Sequence, residues 1–257
     1  VGTEDLSEFV DGWCTYNGDQ ISNYDINAGL TKTMVRAVVK YISETTEDEV
    51  LAAIGRVPNT DADWFRSSGL KLDERGYVTV DGYGRTNLDG VWALGDITPG
   101  HALAHRAFEQ GITIAEKIAG ADPKPVIDDT VPQVVFSFPE AASVGLTLDQ
   151  AKAREDVVEP KETAYPMLSN ARMLMSGEGG SMTVVSGAFA NNPDMQVVLG
   201  VHIVSPIASD LIAEAEQLVG NRVPLADAAR LIHPHPTFSE TLGEALLKAD
   251  GRPLHTR

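Results

Sequence analysis

The sequence predicts an α/β segment followed by a separate α+β unit with an antiparallel sheet. Two patterns carry this expectation. The apolar run Val91-Trp92-Ala93-Leu94 ends in Gly95-Asp96 and is followed by helical periodicity, the strand–turn–helix order of an α/β layer. Beyond about residue 130, strands joined by turns come first and helices later, the grouping of an α+β unit. A stretch rich in proline and aspartate, Asp122-Pro123-Lys124-Pro125 and then Asp128-Asp129, reads as the linker between them. Three domains are therefore expected, at 1–60, 61–127 and 128–257.

The first of these, 1–60, opens on a polar, poorly periodic stretch, and residues 1–33 stay unassigned. A β-like run follows at 34–42, then the acidic turn Glu44-Thr45-Thr46-Glu47-Asp48-Glu49. The short apolar strand Val50-Leu51-Ala52-Ala53-Ile54 ends at Gly55-Arg56. No complete core is visible in this stretch. In 61–127, Arg75-Gly76 marks a turn and Tyr77-Val78-Thr79-Val80 alternates as a strand. Val91–Leu94, bracketed by Gly90 and Gly95, has the unbroken apolar character of a strand buried on both faces. The next helix keeps Ala104, Ala107, Phe108, Ile112, Ala115, Ile118 and Ala119 at the spacing of one buried face, and Gly120 stops it. In 128–257, strands are expected at 131–137, 141–146, 181–188 and 195–204, with a hairpin-type turn at Asn191-Asn192-Pro193-Asp194. Thr147-Leu148-Asp149-Gln150 has capping-box spacing, and a helix over about 207–219 carries the stripe Ile207, Ala208, Leu211, Ile212, Ala215, Leu218 and Val219.

Composition narrows the function. Twenty Lys+Arg stand against 37 Asp+Glu among 257 residues, a formal charge of −17. Such a chain is a poor partner for nucleic acid, whose phosphates need clustered cations, and for an anionic membrane surface. Hydrophobic residues at 43% and charged residues at 22% are those of a globular protein. No apolar run approaches the ~18 residues of a membrane-spanning helix. The start, Val1-Gly2-Thr3-Glu4-Asp5, lacks the basic and apolar regions of a signal peptide. The single cysteine, Cys14, rules out an intrachain disulfide and a cysteine-based zinc cluster, and no metal site is expected. These features lead to the expectation of a soluble cytoplasmic protein.

Three segments carry candidate chemistry. Gly95-Asp96 stands at the carboxyl end of a strand before a helix, where open α/β sheets place ligands. A carboxylate there can accept hydrogen bonds from the hydroxyls of a sugar or ribityl chain. Ala102-Leu103-Ala104-His105 opens the helix, whose first N–H groups can meet a ligand. Taken alone, a turn-closing and capping role for Asp96 is favoured. The second segment is His233-Pro234-His235-Pro236-Thr237-Phe238-Ser239-Glu240, where prolines stiffen the approach to a helix. A carboxylate on Nδ1 of His235 would set its tautomer and raise its basicity, as a general base requires. Thr237-x-x-Glu240 is equally a capping box that would occupy Glu240 with backbone, and spacing alone leaves both roles open. His233 is set aside as a neighbour. In the third segment, Ala53 to Thr60, Gly55 permits a close backbone approach, although a domain junction explains it as well.

Together and in this order, the segments resemble the pyridine nucleotide–disulfide oxidoreductases. Gly55-Arg56-Val57-Pro58-Asn59-Thr60 resembles the close of that family's NAD-binding domain, and Thr86 through Asp96 its second FAD-binding motif. The likeness continues from Leu103-Ala104-His105 to Gly120. Val131–Phe136 and Pro139–Thr147 are similar to the start of its dimerisation domain. The His-x-His-Pro-Thr-x-Ser-Glu form is most similar to the dihydrolipoamide dehydrogenases within the family. The resemblance implies an α/β remnant of FAD- and NAD-binding domains before an α+β dimerisation domain. It implies His235 as the acid–base histidine, Glu240 as its orienting partner, Asp96 and Ala102 through His105 on FAD, and Gly55 against NAD. It further implies a homodimer and a 2-oxo acid dehydrogenase complex reached through lipoyl domains. The family's Gly-rich turns and Cys-x4-Cys pair do not occur, and Cys14 is out of place for a redox cysteine. The expectation is thus the C-terminal half of such an enzyme, inactive alone and holding neither FAD nor NAD firmly. The alternatives are a mycothione, glutathione or quinone reductase, or a non-catalytic dimerisation module.

Overall fold

A computed structural model describes residues 57–256 and two short strands, β1 (Gly2–Asp5) and β2 (Asp25–Asn27), which pair in parallel. The expected strands at 34–42 and 50–54, with Cys14 and Gly55, lie outside the described residues. The chain divides into two compact units, one of Gly55–Val131 and the other of Val1–Ile54 with Pro132–Arg257.

Gly55–Val131 is built from turns around two helices. The short helix α1 (Asp63–Ser67) buries Phe65. Asp73 and Asp81 then make the same turn twice. In each, Oδ1 accepts N–H groups two and four residues on, from Arg75 and Tyr77 and from Tyr83 and Arg85, all at 2.8–2.9 Å. Gly76 sits at φ +87°, which accounts for the Arg75-Gly76 turn signal.

The two strands expected here shrink to single bridges, Leu72 with Val78 and Arg85 with Trp92. Val91 and Leu94 are 38% and 39% exposed instead of buried on both faces. A doubly buried strand needs neighbours on both edges and layers on both sides. Among the described residues, the ladder bonds of Val91 and Ala93 run to one edge only, at Thr86 and Gly84.

The long helix α2 (Ala104–Ile118) also departs from its expected orientation. It buries Arg106, Thr113 and Ile114, while Phe108, Ile112 and Ile118 of the predicted inner face are 71%, 53% and 59% exposed. The cause is what packs on it within this unit. Arg106 pairs with Asp128 at 2.6 Å and donates to the Pro99 carbonyl at 2.7 Å, while Ile114 presses on Gly84. Those contacts draw the polar side inward and leave the apolar stripe open within the unit.

Residues 132–256 form the expected α+β arrangement. Its elements are β3 (Gln133–Val135), β4 (Glu140–Gly145), α3 (Leu148–Ala153), β5 (Val157–Pro166), α4 (Ala171–Ser176), β6 (Ser181–Phe189), β7 (Asn192–Ser205), α5 (Ala208–Gly220), α6 (Leu225–Ala228) and α7 (Glu240–Ala249). The sheet order is β3-β4-β7-β6-β5 and every pair is antiparallel. Neighbouring Val184 and Val185 are both fully buried, so apolar layers cover both faces at β6. The larger layer joins Val144, Met182, Val184, Val201 and Ile203 to α5 and α7. The smaller sets Leu146, Val185, Val197 and Leu199 against Ala151 of α3. Fully burying one such Leu, Ile or Met side chain contributes about 1.5–3 kcal/mol, so this core outweighs any single polar contact described below.

Local signals account for most of this unit. Thr147 and Gln150 form the full capping box, with bonds of 3.2 and 2.8 Å. The stripe on α5 is buried at Ala208, Leu211, Ile212, Ala215, Leu218 and Val219. Strand β5, which contains Pro160, is absent from the strands that the sequence predicts. It holds as an edge strand with a register shift between Val158 and Lys161, beside Glu159 at φ +50°. The hairpin turn also lies earlier than expected: Phe189 pairs with Asn192, so Ala190-Asn191 makes the turn. A two-residue connection closes the ladder in tighter register than one at 191–194 would.

Candidate active site

The loop from α6 to α7 carries His233, His235 and Thr237. Pro234 and Pro236 on the two sides of His235 limit the backbone freedom there. Further bonds hold it in place. The Thr237 hydroxyl donates to the Pro234 carbonyl at 2.6 Å, and Asn170, which caps α4, donates from Nδ2 to the Thr237 carbonyl at 3.1 Å.

Glu240, the first residue of α7, touches both groups that its spacing suggested, but the reciprocal capping box does not form, because Ser239 is the N-cap and makes no side-chain cap bond. Its Oε1 lies 2.9 Å from His235 Nδ1, and its Oε2 accepts the Thr237 N–H at 2.8 Å. The two oxygens divide the work. Burial pushes the Glu240 carboxyl up, but the Thr237 N–H and His235 outweigh it and hold it below the usual carboxylate range. An ionised carboxylate only accepts, so His235 carries its proton on Nδ1 and keeps Nε2 as the basic nitrogen. The His235 side chain is 71% exposed. An oriented imidazole open to an incoming proton donor is the arrangement a general base needs.

His233, set aside on sequence, lies against a carboxylate of its own. Its Nε2 is 2.8 Å from Glu214 Oε1 on α5. The Glu214 bond raises the His233 pKa against the effect of burial. Only a His-x-His spacing and a glutamate beside the apolar stripe of α5 hinted at this pair. Neither names the other as partner.

In the other unit, Asp96 sits in a short 3-10 turn, Gly95–Ile97. Gly95 adopts φ +72° and its N–H donates to Gln110 Oε1 of α2 at 2.8 Å, while the Thr98 hydroxyl bonds the Gly95 carbonyl at 2.8 Å. These contacts pin the Asp96 turn to α2. Ala102 and Leu103 lead into that helix, and Ala104 and His105 begin it. Leu103 is extended and no side-chain cap bond is made there. A helix start of this kind presents N–H groups for which the helix itself has no carbonyl. The structure therefore joins His235 to Glu240, and Asp96 to the helix that Ala102 through His105 open. Gly55 lies outside the described residues.

Comparison with known proteins assigns both stretches of the chain to one family. The model described as pyridine nucleotide-disulphide oxidoreductase matches residues 21–111, and that of the same family's dimerisation domain matches 131–246. The chain belongs to this family. The dihydrolipoyl dehydrogenase of Cupriavidus necator is 41% identical over 210 residues, and that of Geobacillus stearothermophilus 40% over 210. Each alignment covers 81% of this chain but only 42% and 43% of the respective relative, so the chain spans about two fifths of their length. Among solved structures, LpdA from Mycobacterium tuberculosis superposes with a TM-score of 0.68 at 32% identity, over 77% of this chain and 42% of that one. The flavoprotein disulfide reductase RclA of Escherichia coli, at 24% identity, TM-score 0.64, and 76% and 43% coverage, shares the fold. Residues 131–246 thus carry the family's dimerisation domain, and the α/β-then-α+β fold class holds. Among the described residues no helix is long and apolar enough to cross a membrane.

Proposed function

We propose that the chain carries the acid–base centre of a flavin-dependent dihydrolipoamide dehydrogenase, which oxidises dihydrolipoamide with NAD+ through FAD and a redox disulfide. The observation behind this reading is the 2.9 Å contact of His235 Nδ1 with Glu240 at the start of a buried helix. The names of the relatives point the same way. His235 Nε2 takes the proton of one substrate thiol, and the thiolate is the nucleophile. It attacks one sulfur of the enzyme's disulfide, forming a mixed disulfide and releasing the other sulfur as a thiolate. The second substrate thiol gives its proton to that thiolate and attacks the mixed disulfide, closing the lipoamide ring and expelling the other enzyme sulfur. One S–S bond forms, one breaks, and the electron pair passes to the enzyme dithiol. The chain has one cysteine, so that disulfide comes from elsewhere in the intact enzyme.

FAD, where bound, supplies the electron acceptor between the dithiol and NAD+. The residues present fit one side of it. The helix start at Ala102–His105 suits phosphate oxygens, and Asp96, fixed to α2 through Gly95, suits hydroxyls. Gly55 is assigned to the NAD side. In line with the family resemblance, the histidine would serve the disulfide of a partner subunit, and the match of residues 131–246 to a dimerisation domain supports a homodimer as the working form. A 2-oxo acid dehydrogenase complex is its proposed partner and the cytoplasm its proposed location.

The test is a substrate panel on a flavin-loaded enzyme that contains these residues. Dihydrolipoamide with NAD+ should be turned over in preference to mycothione, glutathione disulfide or quinones. Turnover of one of those without dihydrolipoamide activity would replace this reading with the corresponding reductase. No turnover of any of them would leave only the dimerisation module.

A further inference from the structure

His233 ties three elements together. It belongs to the loop, bonds Glu214 of α5 at 2.8 Å, and packs on α7 at Gly243. A Cβ at Gly243 would stand 2.6 Å from His233 Nδ1, too close for any unmoved pair of atoms. The imidazole therefore fills a slot that only glycine leaves open on α7. Its side chain is 9% exposed, so its position is set by packing as well as by the Glu214 bond. One proline separates it from His235, leaving few torsions through which His235 could move while His233 stays fixed.

We infer that Glu214 and His233 form a positioning pair, which anchors the loop on α5 and α7 so that His235 stays within hydrogen-bond reach of Glu240. The inference rests on the reading of His235 and Glu240 as the acid–base pair. On the far side of His235 the loop is held by Thr237, through Asn170 and Glu240. Without His233, that anchorage is one-sided. The charges also agree. Glu214 from α5 and Glu240 from α7 both favour the protonated His233, and His233 in turn helps keep Glu240 ionised. A carboxylate held ionised is the form that fixes the His235 tautomer.

The experiment is nitrogen-resolved NMR of the imidazoles in the 257-residue chain, comparing it with Glu214→Gln, Gly243→Ala and Glu240→Gln. In the unaltered chain His233 should titrate above an ordinary histidine, and His235 should favour the Nδ1–H tautomer. Glu214→Gln, isosteric and at a partly exposed side chain, should return His233 toward the ordinary value. It should also lower the ratio of Nδ1–H to Nε2–H tautomers at His235 by at least about threefold. Gly243→Ala should do the same from the other side of the ring. A His235 ratio unmoved in Glu214→Gln, although His233 has shifted, overturns the inference, as does an ordinary titration of His233 in the unaltered chain. Glu240→Gln tests the underlying pair separately. If it leaves the His235 tautomer unchanged, the acid–base reading fails whatever the other variants show.

Discussion

Replacing His235 by Gln in a flavin-loaded enzyme of full family length separates chemistry from structure. The His235 side chain is 71% exposed, so the substitution removes little packing and should cost less than about 0.5 kcal/mol in stability. Gln keeps a neutral, polar side chain at this exposed position. What disappears is the basic nitrogen. General-base catalysis contributes about 10²–10⁴ in rate, or about 2.7–5.5 kcal/mol of barrier. Dihydrolipoamide-dependent reduction of NAD+ should fall by that factor. Electron flow from NADH through the flavin to an artificial dye needs no thiol proton and should survive. Glu240→Gln should act in the same direction less severely, because one amide group cannot accept both the His235 and Thr237 N–H groups as the carboxylate does. The assay measures both activities on flavin-replete dimer. Equal losses in the two, in step with lost flavin or stability, would refute the catalytic assignment.

Three further outcomes follow from the geometry. His233 has its pKa raised in the folded state, so its stabilising contribution is complete below the ordinary histidine value of ~6.5 and is lost as pH rises through the folded-state value. Urea midpoints should decline across that interval and Glu214→Gln should flatten the decline; parallel curves for the two proteins would count against the ion pair. Leu246→Ala, at a fully buried position on α7, should destabilise by about 2–5 kcal/mol, read from chemical denaturation; a change under about 0.5 kcal/mol, the scale of a surface substitution, would mean the helix is not packed as described. Ile232, Leu174 and Met175 are 96%, 63% and 68% exposed, apolar surface that a second copy would cover. Sedimentation at micromolar concentration should give twice the chain mass, and a monomer alone would contradict the proposed homodimer.

The readings that held were those made by groups acting on near neighbours in sequence. The capping box at Thr147 is satisfied within four residues, and the stripe of α5 needs only an apolar sheet beneath it. Those that failed depended on what lies across the fold. The periodicity of α2 correctly marked an amphipathic helix, but within Gly55–Val131 the Asp128 and Pro99 contacts of Arg106 decide which side turns inward. The apolar run Val91–Leu94 likewise states a preference for burial that one edge of ladder bonds cannot meet. Strand β5 was hidden for the opposite reason. Its proline argues locally against a strand, yet the edge position and the bulge accommodate it.

The same distinction explains the histidine loop. Spacing showed that Glu240 could reach either His235 or the Thr237 backbone, and could not show that a carboxylate placed at the first residue of α7 reaches both. Two acceptor oxygens remove the competition that a single acceptor would face. The loop backbone at Thr237 and the orientation of the imidazole then depend on one group. This makes Glu240 a point where stability and the orientation of His235 are coupled. As pH falls below the ordinary carboxylate range to the lowered folded-state value, protonation of Glu240 should release the Thr237 bond and the His235 tautomer together. Its lowered pKa fixes the sign, with stability present above the ordinary carboxylate value and lost as pH falls through the folded-state value. His233 lies nineteen residues from Glu214, beyond the reach of any spacing rule, and only the packing of α5, the loop and α7 brings the two together.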